Sequence, residues 1–485
     1  MMGDTRQRDR KPPDLTTGPI FGTLLLFALP ALGSNVLQSI NGSINAIWVG
    51  QFLGETALAA TANANLVTFL MFSLCFGFGM ASTILIGQSA GKRDFDGVRQ
   101  AVGAGLGLFL LLGAMTAIFG WLCAPALLHV LATPADVYPQ ALIYLRVMFL
   151  GLPSGLITVF LAMALRGTGD SLTPLFLMLP GMVVDIGLNP VFILGIGPAP
   201  RLGIMGAAIA TLLANLVSFL LMVSVIYARD VPIRLRGAEW RYLVPRKILI
   251  MTILKKGIPM GLQMIVMAGS SLVMMGLVNG EGTETVAAYG SATQIWTYIQ
   301  MPAIAIGMAV STMAAQNIGA GRWDRVNRIG TAGVLINLAM TGSLVLLTTA
   351  LDHHVLQLFL KDQSQSIAIG EHINLIAGGS FILMGITMVL SSVARANGAT
   401  IMPLVIMIIS YIPGRLGAAY ALKGMLGPDA IWWSFPIGAG LSLVLTIAFY
   451  LHGSWRNGNM LASVEEGEEF CQSEADPAAR PAPTG

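Results

Sequence analysis

The sequence predicts an all-α polytopic membrane protein: twelve transmembrane helices in two pseudo-symmetric six-helix lobes. Three observations carry that reading. The 485 residues are 55% hydrophobic and only 11% charged, with a mean hydropathy of +0.74, whereas a soluble domain carries roughly a quarter charged residues. Apolar stretches of about 20 residues, the length a helix needs to cross the hydrocarbon core, recur along nearly the whole chain. Two patterns from the first half return in the second at an almost constant offset. The short alternating strands of an outer-membrane barrel do not occur.

The elements follow in order. Residues 1–19 are polar and basic, with Arg6, Arg8, Arg10 and Lys11. The first apolar run is too long for a signal-peptide core and lacks a convincing cleavage site, so it is expected to stay as the first membrane helix. Spans are expected at about 20–48, 58–86, 100–122, 138–163, 172–195, 204–227, 254–278, 286–315, 329–350, 367–393, 402–422 and 430–452. The loops are short except 228–253, which is rich in Arg and Lys. Residues 453–485 are polar, contain EEGEE and are expected to form a disordered tail. The domain reading is therefore an N-lobe at 20–227, a basic linker at 228–253 and a C-lobe at 254–452. The expected location is the plasma (inner) membrane. The N-terminus, the tail and the loops on one side hold 22 of the 27 Lys and Arg residues. That asymmetry puts both termini in the cytoplasm.

The internal repeat has two points of match. QSAGKRDFDGV at Gln88 and QNIGAGRWDRV at Gln316 share Gln88/Gln316, Gly91/Gly319, Asp96/Asp324 and Val98/Val326. RGTGDSLTP at Arg166 and RANGATIMP at Arg395 share Arg166/Arg395, Gly169/Gly398 and Pro174/Pro403. Six spans per half is an even number, so both halves insert the same way up and their pseudo-twofold runs along the membrane normal. Two such bundles can rock around a central cavity, as alternating access requires.

Within this bundle Asp185 is the clearest mid-span carboxylate, in GMVVDIGLNPVFILG. An ionisable group at that depth costs several kcal/mol and usually faces a cavity that handles protons, ions or substrate. Desolvation disfavours the charged form of a buried carboxyl group, which suits a proton carrier. Asn189 lies four residues on and shares its helix face. Asn35, Asn41 and Asn45 in the first span either line the cavity or join helices to one another. Arg415 in span eleven lies near the repeat-equivalent position of Asp185. It either attracts anions, pairs with an acid, or snorkels to the outer surface.

The chain resembles the multidrug and toxic compound extrusion (MATE) transporters over about residues 15–452. The resemblance rests on TTGPI, the Pro30 helix ending in INAIWVGQFLG, LAATANA, the paired Gln–Gly–Asp segments, LRGTGDSLTP, LNPVFILG and GIMGAAIAT. It implies two lobes around a V-shaped cleft and cation efflux driven by a proton or sodium gradient. Similar proteins carry an aspartate where Asn45 stands, and they often have the Asp185 and Asn189 residue types exchanged. Thr211 matches a family hydroxyl position. Acids found in the C-lobe of some relatives fall here at Met267 and Met384, so a C-lobe ion site is expected to be absent. The implied partners are small amphipathic cations, a proton or sodium ion, and membrane lipids. A monomer without cofactor or nucleic acid is expected.

Other features read as structural. Gln88, Gly91, Gln316 and Gly319 are expected in tight cytoplasmic turns, and Arg166 and Arg395 to hold loops or lipid phosphates. Gly103 and Gly107 form a GxxxG pattern that suits close helix packing. The 27 methionines suit a pliable cavity, Met264, Met267, Met274 and Met275 crowding span seven. Cys75, Cys123 and Cys471 show no metal or disulfide spacing, and His353 and His354 lack supporting ligands. No nucleotide-binding P-loop is present, since Gly91–Lys92 lacks the required glycine. No acid or histidine cluster marks a membrane enzyme. A lipid-linked saccharide flippase of the same superfamily is the alternative; such proteins often carry several cavity arginines.

Overall fold

The computed structural model describes residues 14–131, 133–197, 200–244, 246–360, 364–458, 460–461 and 464. The basic tail before residue 14, Lys361, Cys471 and the acidic tail after residue 464 lie outside them. The described chain is all helical. The long helices of the first half are α1 (Ile20–Leu53), α2 (Glu55–Lys92), α3 (Phe95–Val130), α4 (Tyr138–Gly167), α5 (Leu172–Leu194) and α6 (Ile204–Ala228). The second half has α7 (Lys247–Asn279), α8 (Thr283–Gly319), α9 (Trp323–Ala350), α10 (Asp352–Gln357), α11 (Ser364–Ala377), α12 (Ser380–Ala396), α13 (Ile401–Ile409), α14 (Gly417–Ala421), α15 (Lys423–Leu426) and α16 (Asp429–His452). Among the described residues, eleven helical segments are long and apolar enough to cross a membrane, or twelve when the bent α11–α12 pair is counted as one span. The protein is a multi-pass membrane protein.

Two of these crossings are irregular. The tenth, expected as one helix over 367–393, bends by 41° between α11 and α12. Gly378 and Gly379 occupy the break, and glycine resists helix continuation because it loses the most backbone freedom on ordering. The eleventh contains a π-helical turn, Ser410–Leu416, between α13 and α14. Pro413 lies inside it and has no N–H to donate, so regular α-bonding cannot run through this point.

Packing divides the molecule by depth. One apolar core joins both halves at the end bearing the N-terminus and the basic loops. It includes Leu24, Phe78 and Leu165 from the first half and Ile306, Val310 and Val393 from the second. At the opposite end there are two cores. One holds Val49, Leu145 and Ile193, all from the first half. The other holds Met274, Trp296 and Trp432, all from the second. The halves are thus fused at the basic end and separately packed at the far end.

The paired Gln–Gly segments, expected as turns, are instead the closing residues of α2 and α8, where the halves cross. Gln88 Nε2 donates to the Ala396 carbonyl at 2.7 Å, and Gln316 Nε2 donates to the Gly167 carbonyl at 3.0 Å. A Cβ on Gly91 would overlap the Gln316 carbonyl oxygen, and one on Gly319 would overlap that of Gln88. Glycine is needed here for close backbone approach rather than for turning.

The linker is more ordered than its composition suggests. Its last residues from Lys247 are already α7, and Gly237–Leu243 forms a 3-10 helix. That helix lies against α3: Cβ atoms on Gly103 and Gly107 would strike Tyr242 and Leu243. The GxxxG pattern therefore seats the linker rather than a membrane helix. The tail expected to be disordered from 453 also begins folded. Trp455 is 1% exposed, stacks on Tyr450 with centroids 5.1 Å apart, and donates its Nε1–H to the Tyr450 carbonyl at 3.0 Å. Leu461 N donates to Gln88 Oε1 at 3.0 Å. An aromatic side chain of this size gains more from burial than the polar sequence around it loses on ordering.

Candidate functional site

Asp185 sits midway along α5, between Pro180 and Pro190, and is 1% exposed. Three helices supply its hydrogen-bond donors. From α1, Asn41 and Asn45 lie four residues apart on one face, and both donate Nδ2–H to Asp185 Oδ2 at 2.8 Å. From α5 itself, Asn189 Nδ2 reaches Asp185 Oδ1 at 3.1 Å, the Asp185 carbonyl at 2.9 Å and Asn45 Oδ1 at 3.0 Å. From α6, Thr211 Oγ1 donates to Asp185 Oδ1 at 3.2 Å. The carboxylate thus accepts four side-chain hydrogen bonds. Hydrogen bonds to a carboxylate are stronger than those between neutral groups. Two acceptor atoms of the same cluster, Asn41 Oδ1 and Asn189 Oδ1, are buried without a donor.

Five of the residues singled out from sequence therefore meet at one point: Asp185, Asn189, Asn45, Asn41 and Thr211. Asn35 does not join them; its Nδ2 is buried without a partner. Arg415 does not join them either. It lies in the second half, in the π-helical turn, and lines a cavity of about 250 Å³ formed by α7, α8, α12, the π-turn and α16. Its guanidinium carbon is 3.7 Å from the Phe435 ring centroid and 5.8 Å from that of Tyr411. It neither snorkels outward nor meets an acid. Met267 and Met384 line the same cavity, and Tyr411 Oη rests on Met384 Sδ at 3.4 Å.

Sequence reasoning passed over the aromatic wall of this cavity. Tyr289 and Trp296, seven residues apart on α8, share a face with Phe435 and Phe381 against them. The seven-residue spacing was the available signal. Trp296 Nε1 donates to Asn374 Oδ1 at 2.8 Å, and Asn374 Nδ2 donates to Asp352 Oδ1 at 2.7 Å. A hydrogen-bonded line thus joins the cavity wall to a carboxylate on α10. The arginines expected to hold loops or lipid phosphates face inward. Arg395 donates to Gln263 Oε1 at 3.1 Å and Ser392 Oγ at 2.7 Å, while Arg166 lines a small cleft with Met80, Met163 and Met308. His353 pairs with Glu371 at 2.8 Å.

The MatE family profile matches residues 30–191 and 259–420, one match in each half. The chain is 33% identical over 433 residues to the probable multidrug resistance protein YoeA of Bacillus subtilis, covering 89% of this chain and 93% of that one. It is 30% identical over 452 residues to the probable multidrug resistance protein YpnP of the same organism, covering 92% and 98%. Among solved structures, a crystal structure of MATE in complex with MaL6 superposes with a TM-score of 0.82 at 22% identity, covering 93% of this chain and 99% of that one.

Proposed function

The chain belongs to the MatE family of membrane transporters, not of enzymes, and on that premise we propose that it exports amphipathic, mostly cationic compounds by proton antiport through Asp185. The observation that carries the reading is the four-donor shell around one buried carboxylate. A buried charge at membrane depth costs ~2.5–3.5 kcal/mol on insertion scales. The donors from α1, α5 and α6 offset that cost only while the group is ionised.

Protonation changes the balance. A protonated carboxyl group is itself a donor and has less acceptor capacity. The four donors then crowd an atom pair that can no longer serve them all, and the new O–H needs an acceptor. Asn41 Oδ1 and Asn189 Oδ1, each buried without a donor, are the atoms able to take it. Turning either amide breaks its present bond to the carboxylate and loosens α1 from α5. Proton binding is thus tied to the packing of two helices that border the cleft. The basic end, fused by the shared core, faces the cytoplasm together with both termini. The two six-helix halves act as the moving parts, and the separately packed far ends form the mouth.

Sodium is the competing coupling ion, favoured by the same amide and hydroxyl oxygens, since hard cations take oxygen ligands. Proteoliposomes with separately imposed proton and sodium gradients test the reading, with an ethidium-like dye as cargo. Uphill dye movement on the proton gradient, lost in Asp185→Asn with normal expression and folding, is the expected result. Movement on sodium alone transfers the coupling to sodium. Undiminished pumping by Asp185→Asn removes Asp185 from the mechanism.

A further inference from the structure

The second-half cavity is built around one charge that the Asp185 cluster does not use. Among the described residues, Arg415 is the sole charged residue lining it, and no carboxylate contributes to its wall. Its Nε is buried without a hydrogen-bond partner. The guanidinium instead rests on Phe435. A cation over an aromatic face is attracted by the ring quadrupole, but the ring cannot satisfy the N–H fork. Charged side chains at membrane depth normally pair with one another or with carbonyls. Here the protein supplies the cation and the space and leaves out the anion.

The surroundings define what fits. Tyr411 Oη is held only by the Met384 sulfur, a weak acceptor, so its O–H is free to be recruited by a better one. Tyr289, Trp296 and Phe435 give aromatic walls. The cavity of about 250 Å³ lies just below the ~300–1,000 Å³ usual for small-molecule sites. It suits a compact aromatic body and is too small for two acyl chains. A π-helical turn, a feature found often at functional sites, places Arg415 and Tyr411 on this cavity together.

We propose that this cavity is an anion subsite that takes the carboxylate of an aromatic amphiphile. Arg415 supplies a planar fork matched to the two carboxylate oxygens, and Tyr411 supplies a further donor. Phe435, Tyr289 and Trp296 hold the ring system. With an acid in the first half and an unpaired arginine in the second, the two halves carry opposite charges toward their ligands. The substrate class therefore extends from cations to zwitterions and acids. That extension rests on the export reading above, but the binding event does not.

The test uses equilibrium binding to the purified full chain in a neutral detergent at constant pH, with no gradient. The probes are 2-naphthoate, its methyl ester and 2-naphthylmethylammonium. The wild type is expected to bind naphthoate on the order of 10–100-fold more tightly than the ester. Arg415→Gln should bring the two to parity, and Arg415→Lys, which keeps the charge without the fork, should fall between. Parity in the wild type, or a naphthoate preference intact in Arg415→Gln, overturns the proposal. If Arg415→Gln does not fold, an undiminished preference in Arg415→Lys does the same. Competitive displacement of naphthoate by phosphatidylglycerol but not by phosphatidylcholine would assign the cation to a lipid phosphate and also overturn it. Because the measurement uses no gradient, its outcome is separate from any failure of proton-driven export.

Discussion

Gln88 and Gln316 each send a side-chain amide into the opposite half of the molecule, Gln88 to the Ala396 carbonyl and Gln316 to the Gly167 carbonyl. The exchange is reciprocal, and it is closed by Gly91 lying on the Gln316 carbonyl and Gly319 lying on that of Gln88. The sequence repeat thus becomes a structural joint in which each half completes the other.

Gly319→Ala tests that joint. The added methyl has no room against backbone and forces the crossing apart, at a cost of ~1–3 kcal/mol. A lower melting temperature in detergent is expected, with greater thiol labelling of a cysteine placed at Gly167 or Ala396. A normal melting temperature with unchanged labelling would show that the crossing is not tight in solution.

The folded start of the tail predicts a second effect. Trp455→Ala removes a fully buried indole and its bond to the Tyr450 carbonyl. The expected loss is ~3–5 kcal/mol, read from thermal or denaturant unfolding. Truncation after residue 464 should be far milder than truncation after 453. Equal stability of the two truncated chains would contradict the packing of Trp455.

Asp352 gives a pH-dependent outcome. Burial raises its pKa above the ordinary carboxylate value and the nearby Glu371 charge adds to this, while the Asn374 hydrogen bond opposes both. The folded chain therefore holds this proton more tightly than the unfolded chain. The charged form is a penalty on folding at neutral pH, and the penalty fades as pH falls toward the unfolded value near 3.8. Asp352→Asn keeps an oxygen acceptor for Asn374 and should raise stability slightly at pH 7, by less than ~1 kcal/mol after solvent screening. The gain should vanish near pH 4. A gain that persists at low pH would assign the effect to something other than charge.

Gly54→Cys with Glu281→Cys, in a background lacking Cys75, Cys123 and Cys471, probes the far end. Gly54 separates α1 from α2, and Glu281 follows α7, where it pairs with Lys423 at 3.5 Å. A crosslink that forms in one access state and stops transport is expected. Full transport by the crosslinked protein would mean that this mouth does not need to open.

Asp185 and Asn189 were readable from sequence because four-residue spacing on a helix is a statement about shared direction. The same holds for Asn41 and Asn45, and periodicity placed each pair on a stripe. What it could not place was one stripe against another, so the shared bonds to Asp185 became visible only in three dimensions. Gln88 and Gln316 look like turn residues in sequence because glycine beside polar groups usually marks a turn. Here the glycine serves contact with a helix of the other half of the chain, and no local window holds that information. Trp455 was hidden by its polar company, and the bend at Gly378 by an otherwise continuous apolar run. Arg415 was placed in its span, but the ring beneath it and the missing acid were not encoded nearby.

On the export reading proposed above, the uneven division of the apolar cores would give the molecule leverage. The 34 residues of α1 run from the fused end to the separate one, a length of ~50 Å at 1.5 Å per residue. A rotation of about 10° at the fused end would therefore carry the far tip through roughly 9 Å. Side chains near the fulcrum would shift by only a small part of that, within the play of a few rotamers, while the tips would clear a drug-sized molecule. The resistance to such a swing would reside beside Gln88 and Gln316, far from the cargo, so changes there would alter the rate of turnover and leave the choice of cargo untouched.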